Sequence, residues 1–241
     1  MTSLDVSVLR SIRISRRRFV QGGLATGAGL VTATRPGTRL AKAQETPKKG
    51  GIYIFGTGQG FTSLDPHKPG LLNDQNVSNA LWNGLVKMTE NMEVVPDLAE
   101  RWENPDPLTY VFYLRKGVKF HNGREMTADD VVFTFDRMAD PATGSRWAPF
   151  SLPQYDHAEA VDQYTVKLVN KNPFPAQIAN LTKVKIIAKE NVDAIGEHPI
   201  GTGPFLFKEH VQDDRVVLER FPDYWDAGNV HLDGVILKTV K

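Results

Sequence analysis

The chain has 241 residues, 41% hydrophobic and 24% charged, a balance that suits one large or two small globular domains and excludes wholesale disorder. Its net charge of +1 hides an asymmetry: residues 1–43 carry +7 and the rest −6, so the body lacks the basic surface that nucleic acid would need as a partner. The absence of cysteine rules out thiolate metal sites, disulfides and Cys nucleophiles, and a body without a lipid anchor is expected.

In chain order, the first pattern is Ser15-Arg16-Arg17-Arg18-Phe19-Val20, which follows a basic stretch. It precedes an uncharged run over 19–34, rich in Gly, Ala and Thr and too short and weakly apolar to span a bilayer stably. Arg35, Arg39 and Lys42 close the segment around Ala41-Lys42-Ala43, a small-x-small cleavage pattern. Arg16 and Arg17 ahead of a mild apolar run form a twin-arginine signal, an address read by the twin-arginine translocase. The expected organisation is therefore a signal peptide over 1–43 cleaved after Ala43, a linker over 44–49, and an exported, periplasmic body over 50–241.

Residues 51–55 (Gly-Ile-Tyr-Ile-Phe) read as a buried strand. The Gly56-Thr57-Gly58-Gln59-Gly60 run after it fails as a phosphate cradle, because Phe61 stands where a third glycine is needed and Ser63-Leu64-Asp65-Pro66 is a turn. A helix is expected over 73–85, burying Val77, Leu81, Leu85 and Trp82, with Gly84 as a weak point. A strand follows over 109–119, apolar on both faces and so central in its sheet. After a turn at His121-Asn122-Gly123, Thr127 caps a helix whose first turn holds Asp129 and Asp130 and whose buried face is Val131, Val132, Phe135 and Met138. Two hairpins are expected, one turning at Asp162-Gln163 and one at Gln212-Asp213-Asp214, and a last strand over 235–240. No strand is assigned over 86–106. The result is a mixed, strand-rich α/β body.

The chemistry-bearing residues are sparse. None of the six histidines lies three or four positions from another, so no sequence-local zinc site exists, and each reads as a turn or surface residue. There is no G-x-S-x-G elbow. Asp129-Asp130 is explained by capping and Asp213-Asp214 by a turn. No enzyme activity, cofactor or metal is expected.

Two long segments carry a resemblance. The first runs from Val95-Pro96-Asp97-Leu98-Ala99-Glu100-Arg101-Trp102-Glu103 through residues 109–123 to Met126-Thr127-Ala128-Asp129-Asp130-Val131. The second is Ile200-Gly201-Thr202-Gly203-Pro204-Phe205 followed by Leu218-Glu219-Arg220-Phe221-Pro222-Asp223-Tyr224-Trp225. With Ser63-Leu64-Asp65-Pro66 and Leu81-Trp82-Asn83-Gly84-Leu85-Val86, they resemble the family 5 extracellular solute-binding proteins of ABC importers, the dipeptide, oligopeptide and nickel-binding group. The resemblance implies a type II periplasmic-binding-protein-like α/β lobe. It implies capture of a peptide or similar small solute between two lobes, and delivery to ABC permease subunits without a covalent step. Members run to about twice this length, so only the N-terminal lobe is expected over 50–241, with the second lobe missing. The alternatives are a truncated periplasmic module without a transport role and a fragment that binds nothing. By position in the family, Phe61 in the loop 58–61, Asn73, Gln75, Arg146 and Trp147 border the ligand cleft. Trp147 offers an apolar face and Arg146 a charge for an anion. Lys68-Pro69-Gly70 departs from the aromatic of some nickel-type relatives and weakens a metal-chelate assignment.

Overall fold

The computed structural model describes residues 48–68 and 70–240, so Arg16, Arg17, Ala41 and Ala43 lie outside the described residues, as do the expected signal peptide and most of the linker. Strand β1 (Ile52–Thr57) leads to helix α1 (Leu72–Leu81), and β2 (Val86–Met88) pairs with β3 (Val94–Pro96). Then come β4 (Ala99–Asp106), β5 (Thr109–Leu114), α2 (Ala128–Ala139), the short α3 (Ala148–Ser151), β6 (Tyr155–Asp162), β7 (Thr165–Asn170) and α4 (Gln177–Leu181). Strands β8 (Phe205–Val211), β9 (Arg215–Arg220) and β10 (Gly234–Thr239) complete the described chain.

Two four-stranded sheets result. One has the order β4-β5-β7-β6 and is antiparallel throughout. As expected from its two apolar faces, β5 is internal, with Phe112 opposite Trp102 on one side and Val166 on the other. Helix α2 packs on this sheet. The Asp130 carboxylate accepts the Thr127 N–H at 3.0 Å, and Val131, Phe135 and Met138, at i, i+4 and i+7, are buried. Each such side chain stabilises the fold by roughly 1.5–3 kcal/mol relative to exposure.

The other sheet has the order β1-β10-β9-β8 and is mixed: β1 runs parallel to β10, whereas β8, β9 and β10 are antiparallel. A second core lies beneath it, where Val77, Leu81 and Trp82 meet Val216, Leu218 and Leu237.

Three expectations are corrected. Residues 52–55 form a strand but not a buried one: Ile52 is 42% exposed, Tyr53 53%, Ile54 39% and Phe55 37%. The strand ends its sheet and is hydrogen-bonded only to β10. Helix α1 stops at Leu81 rather than running to 85, with Trp82 already extended (φ −132°, ψ 145°). The cause lies far along the chain. Gly203 N–H donates to the Leu81 carbonyl at 2.9 Å, and a Cβ on Gly201 would sit 1.9 Å from the same oxygen. These glycines permit a close backbone approach that takes the helix's last carbonyl, beyond the turn-forming role expected of them. Strands β2, β3 and β4 lie within 86–106, where the sequence pattern predicts none.

Candidate functional site

Arg137, in the last turn of α2, reaches the turn that follows β1. Its guanidinium grips both Asp65 oxygens, at 2.6 and 3.2 Å, and donates to His67 Nδ1 at 2.7 Å. Because Nδ1 accepts, the ring proton sits on Nε2, which donates to the Lys185 carbonyl at 2.9 Å. Burial drives the His67 pKa down to about 4; the Lys185 carbonyl opposes this and the Arg137 charge adds to it. Burial alone would raise Asp65, but the hydrogen bonds and charge of Arg137 outweigh it and hold the carboxyl below the usual range. The His67 carbonyl in turn accepts the Arg146 N–H at 3.2 Å. One buried histidine thus ties together two segments, one at Arg146 and one at Lys185.

Between those segments and α1 lies a small cavity of about 40 Å³, lined by Gln75, Ser78, Asn79, Trp147, Thr182, Lys183 and Lys185. Gln75, Ser78 and Asn79 share one face of α1 by their i, i+3, i+4 spacing. The Lys185 segment is held from three directions: by His67, by Ile186 N–H to the Asn83 carbonyl at 3.0 Å, and by Ile187 N–H to Thr134 Oγ1 at 3.1 Å. Asn83 is itself fixed in a buried cluster, its amide donating to Asp97 at 3.1 Å and to the Tyr224 hydroxyl at 3.3 Å. Burial raises the Asp97 carboxyl above its ordinary range, against the pull of Lys87 at 3.7 Å.

Of the residues expected at a cleft, Gln75 and Trp147 come together in this cavity. Arg146 is exposed beside Trp147. Phe61 and Asn73 do not line it. Phe61 is buried in the second core, edge-on to His210 at 6.1 Å, and the Asn73 amide is spent on Thr57 Oγ1 and the Gln59 carbonyl. Both shape the 58–61 loop from behind.

Sequence reasoning missed Ser78, Asn79, Lys183 and Lys185, and the Asp65–His67–Arg137 group. Only the polar stripe on α1 had a local signal. His67 occupies a turn, as expected, but is fully buried there. His121 keeps its turn but is largely enclosed: it accepts from Gly201 N–H at 3.2 Å and donates to the Gly203 carbonyl at 3.1 Å, and burial lowers its pKa to about 4.

A larger, more open groove of about 420 Å³ runs over Pro105, Pro107, Tyr110 and residues 173–175, without convergent charges. Among the described residues, no group of three or more metal-binding side chains occurs, and no helix is long and apolar enough to cross a membrane.

Residues 93–241 match the family model described as bacterial extracellular solute-binding proteins, family 5 Middle. The glutathione-binding protein GsiB of Pectobacterium atrosepticum is 34% identical over 195 residues, covering 78% of this chain and 38% of that protein. Among solved structures, the oligopeptide-binding protein AppA from Bacillus subtilis, in complex with a nonapeptide, superposes with a TM-score of 0.74 at 30% identity, covering 81% of this chain and 41% of that one. The ABC transporter-associated periplasmic binding protein DppA from Helicobacter pylori, in complex with the peptide STSA, gives 0.73 at 29% identity, with coverages of 80% and 43%. The chain spans less than half the length of these relatives.

Proposed function

The chain belongs to the family 5 bacterial extracellular solute-binding proteins and has their type II periplasmic-binding-protein-like α/β fold, and from that premise we propose that it is the solute-capturing part of an ABC importer. In this reading it takes a peptide or similar small solute in the periplasm and presents it to the importer's permease subunits. No bond is made or broken; ligand shifts a conformational equilibrium by its differential affinity. Residues 50–241 act as the N-terminal lobe, and Gln75, Trp147 and the exposed Arg146 border the ligand, with Phe61 and Asn73 supporting the loop beside it.

The observation that carries this reading is the cavity in which Gln75 and Trp147, 72 positions apart in the sequence, meet over a backbone pinned by His67. Trp147 gives an apolar face to a ligand's stem, and the α1 stripe gives neutral hydrogen-bonding groups to its amides. Calorimetric titration of the chain with a mixed dipeptide pool tests it: saturating heat is expected, and its absence at millimolar peptide would count against binding by this chain.

Residues 1–43 serve as the twin-arginine signal in this proposal, with Arg16 and Arg17 read by the translocase. Replacing both with Lys should leave the protein in the cytoplasm. N-terminal sequencing of the exported form should find residue 44 first.

A further inference from the structure

We propose that the cavity walled by Lys183, Lys185, Trp147 and the Gln75–Ser78–Asn79 face of α1 is an anion subsite that takes a carboxylate of the bound solute. The inference rests on the cleft reading above and narrows its ligand class to solutes with an accessible acidic group.

The lining is one-sided in charge. Two lysines and no acidic residue line it, and its other polar members are the neutral Gln75, Ser78, Asn79 and Thr182. Among the described residues, neither Lys183 nor Lys185 makes a salt bridge, in contrast to Lys87, Lys119, Lys167 and Lys208. Lys183 is instead 6.0 Å from the Trp147 ring centroid. Asp97 is the acid that Lys185 senses, but it is already engaged by Lys87 and Asn83. The Lys183 charge acts unfavourably on Lys185, and an anion bound beside these lysines would offset that repulsion.

The electrostatics agree. Burial lowers the Lys185 pKa to about 8; Asp97 opposes the shift and Lys183 adds to it. Size agrees as well. A water needs roughly 10–15 Å³ of such space, so a cavity of about 40 Å³ admits a group of a few heavy atoms, such as a carboxylate, but not a peptide. The cationic wall is also pre-organised, since the backbone from the Lys185 carbonyl through Ile187 is fixed by His67, Asn83 and Thr134. The ligand's stem would then leave the pocket across Trp147.

The carboxylate could be a peptide's C-terminus or an acidic side chain, and three probes separate these sources: Ala-Ala-Ala-amide, Ala-Ala-Ala, and Ala-Glu-Ala-amide. Calorimetry with the full chain, native and as Lys185→Met and Lys183→Met, is paired with trace acetylation of lysines read by mass spectrometry. We expect at least one carboxylate-bearing probe to bind about tenfold tighter than Ala-Ala-Ala-amide and to protect Lys185 from acetylation. That preference should shrink to about twofold in Lys185→Met and fall by a smaller factor in Lys183→Met. Should Lys185→Met fail to fold, protection of Lys185 in the native chain decides the matter. Equal affinity for all three probes, or a preference without protection of Lys185, overturns the anion subsite while leaving solute binding intact. Failure of every probe to bind overturns the binding reading and the subsite together.

Discussion

The central strand of one four-stranded sheet, β5, and the edge strand of the other, β1, are both largely apolar, yet they end up in opposite surroundings. In the β4-β5-β7-β6 sheet, Phe112, Val166 and Leu168 are fully buried beneath α2. In the β1-β10-β9-β8 sheet, β1 carries Ile52, Tyr53, Ile54 and Phe55 and leaves all of them more than a third exposed. Covering elements make the difference, and those are set by residues distant from the strand. An apolar run therefore reports that a strand forms, and says little about what lies over it.

That contrast can be broken by mutation, starting where the effect is largest. Phe135→Ala, between α2 and its sheet, should cost about 4 kcal/mol in urea unfolding, because it removes a buried ring and leaves a cavity. A loss under about 1 kcal/mol would mean that this core is less completely packed than the other. Arg137→Ala should cost about 3 kcal/mol, because Asp65 would remain buried without its partner. Acid should act next. His67 has a folded pKa of about 4, below the 6.5 of a free histidine, so the unfolded chain takes up the proton first. Its contribution is complete above about pH 6.5 and declines as pH falls towards 4, by about 2 kcal/mol at pH 5. In His67→Gln that part of the acid sensitivity should disappear, which unfolding curves at a series of pH values would show. The smallest effect belongs to β1: Tyr53→Thr should change stability by less than about 1 kcal/mol. A cost near that of Phe135→Ala would show that the exposed strand is held as firmly as the covered one.

Legibility followed the same division. Helix α2 was readable because its signals are local: Thr127 and Asp130 form the cap, and the buried positions recur at helical spacing. Both hairpins announced themselves through turn residues between alternating strands. The end of α1 was hidden because the residues that stop it, Gly201 and Gly203, belong to a segment far down the chain. The site was hidden for the same reason. His67 and Lys185 are 118 positions apart, and nothing in the pattern Lys183-Val184-Lys185-Ile186 shows that either lysine opens on a cavity. Gln75 and Trp147 were reached through the family resemblance rather than through spacing, whereas Ser78 and Asn79 could have been found from the polar stripe of α1.

The most direct test of the account is calorimetric titration of the native chain and Trp147→Ala with the same dipeptide pool, alongside their thermal unfolding. Trp147 lines the cavity and only partly packs on the core, so affinity should fall about tenfold or more, with the unfolding midpoint changed far less than by Phe135→Ala. Unchanged affinity in a folded Trp147→Ala protein would contradict the placement of the ligand site in this cavity.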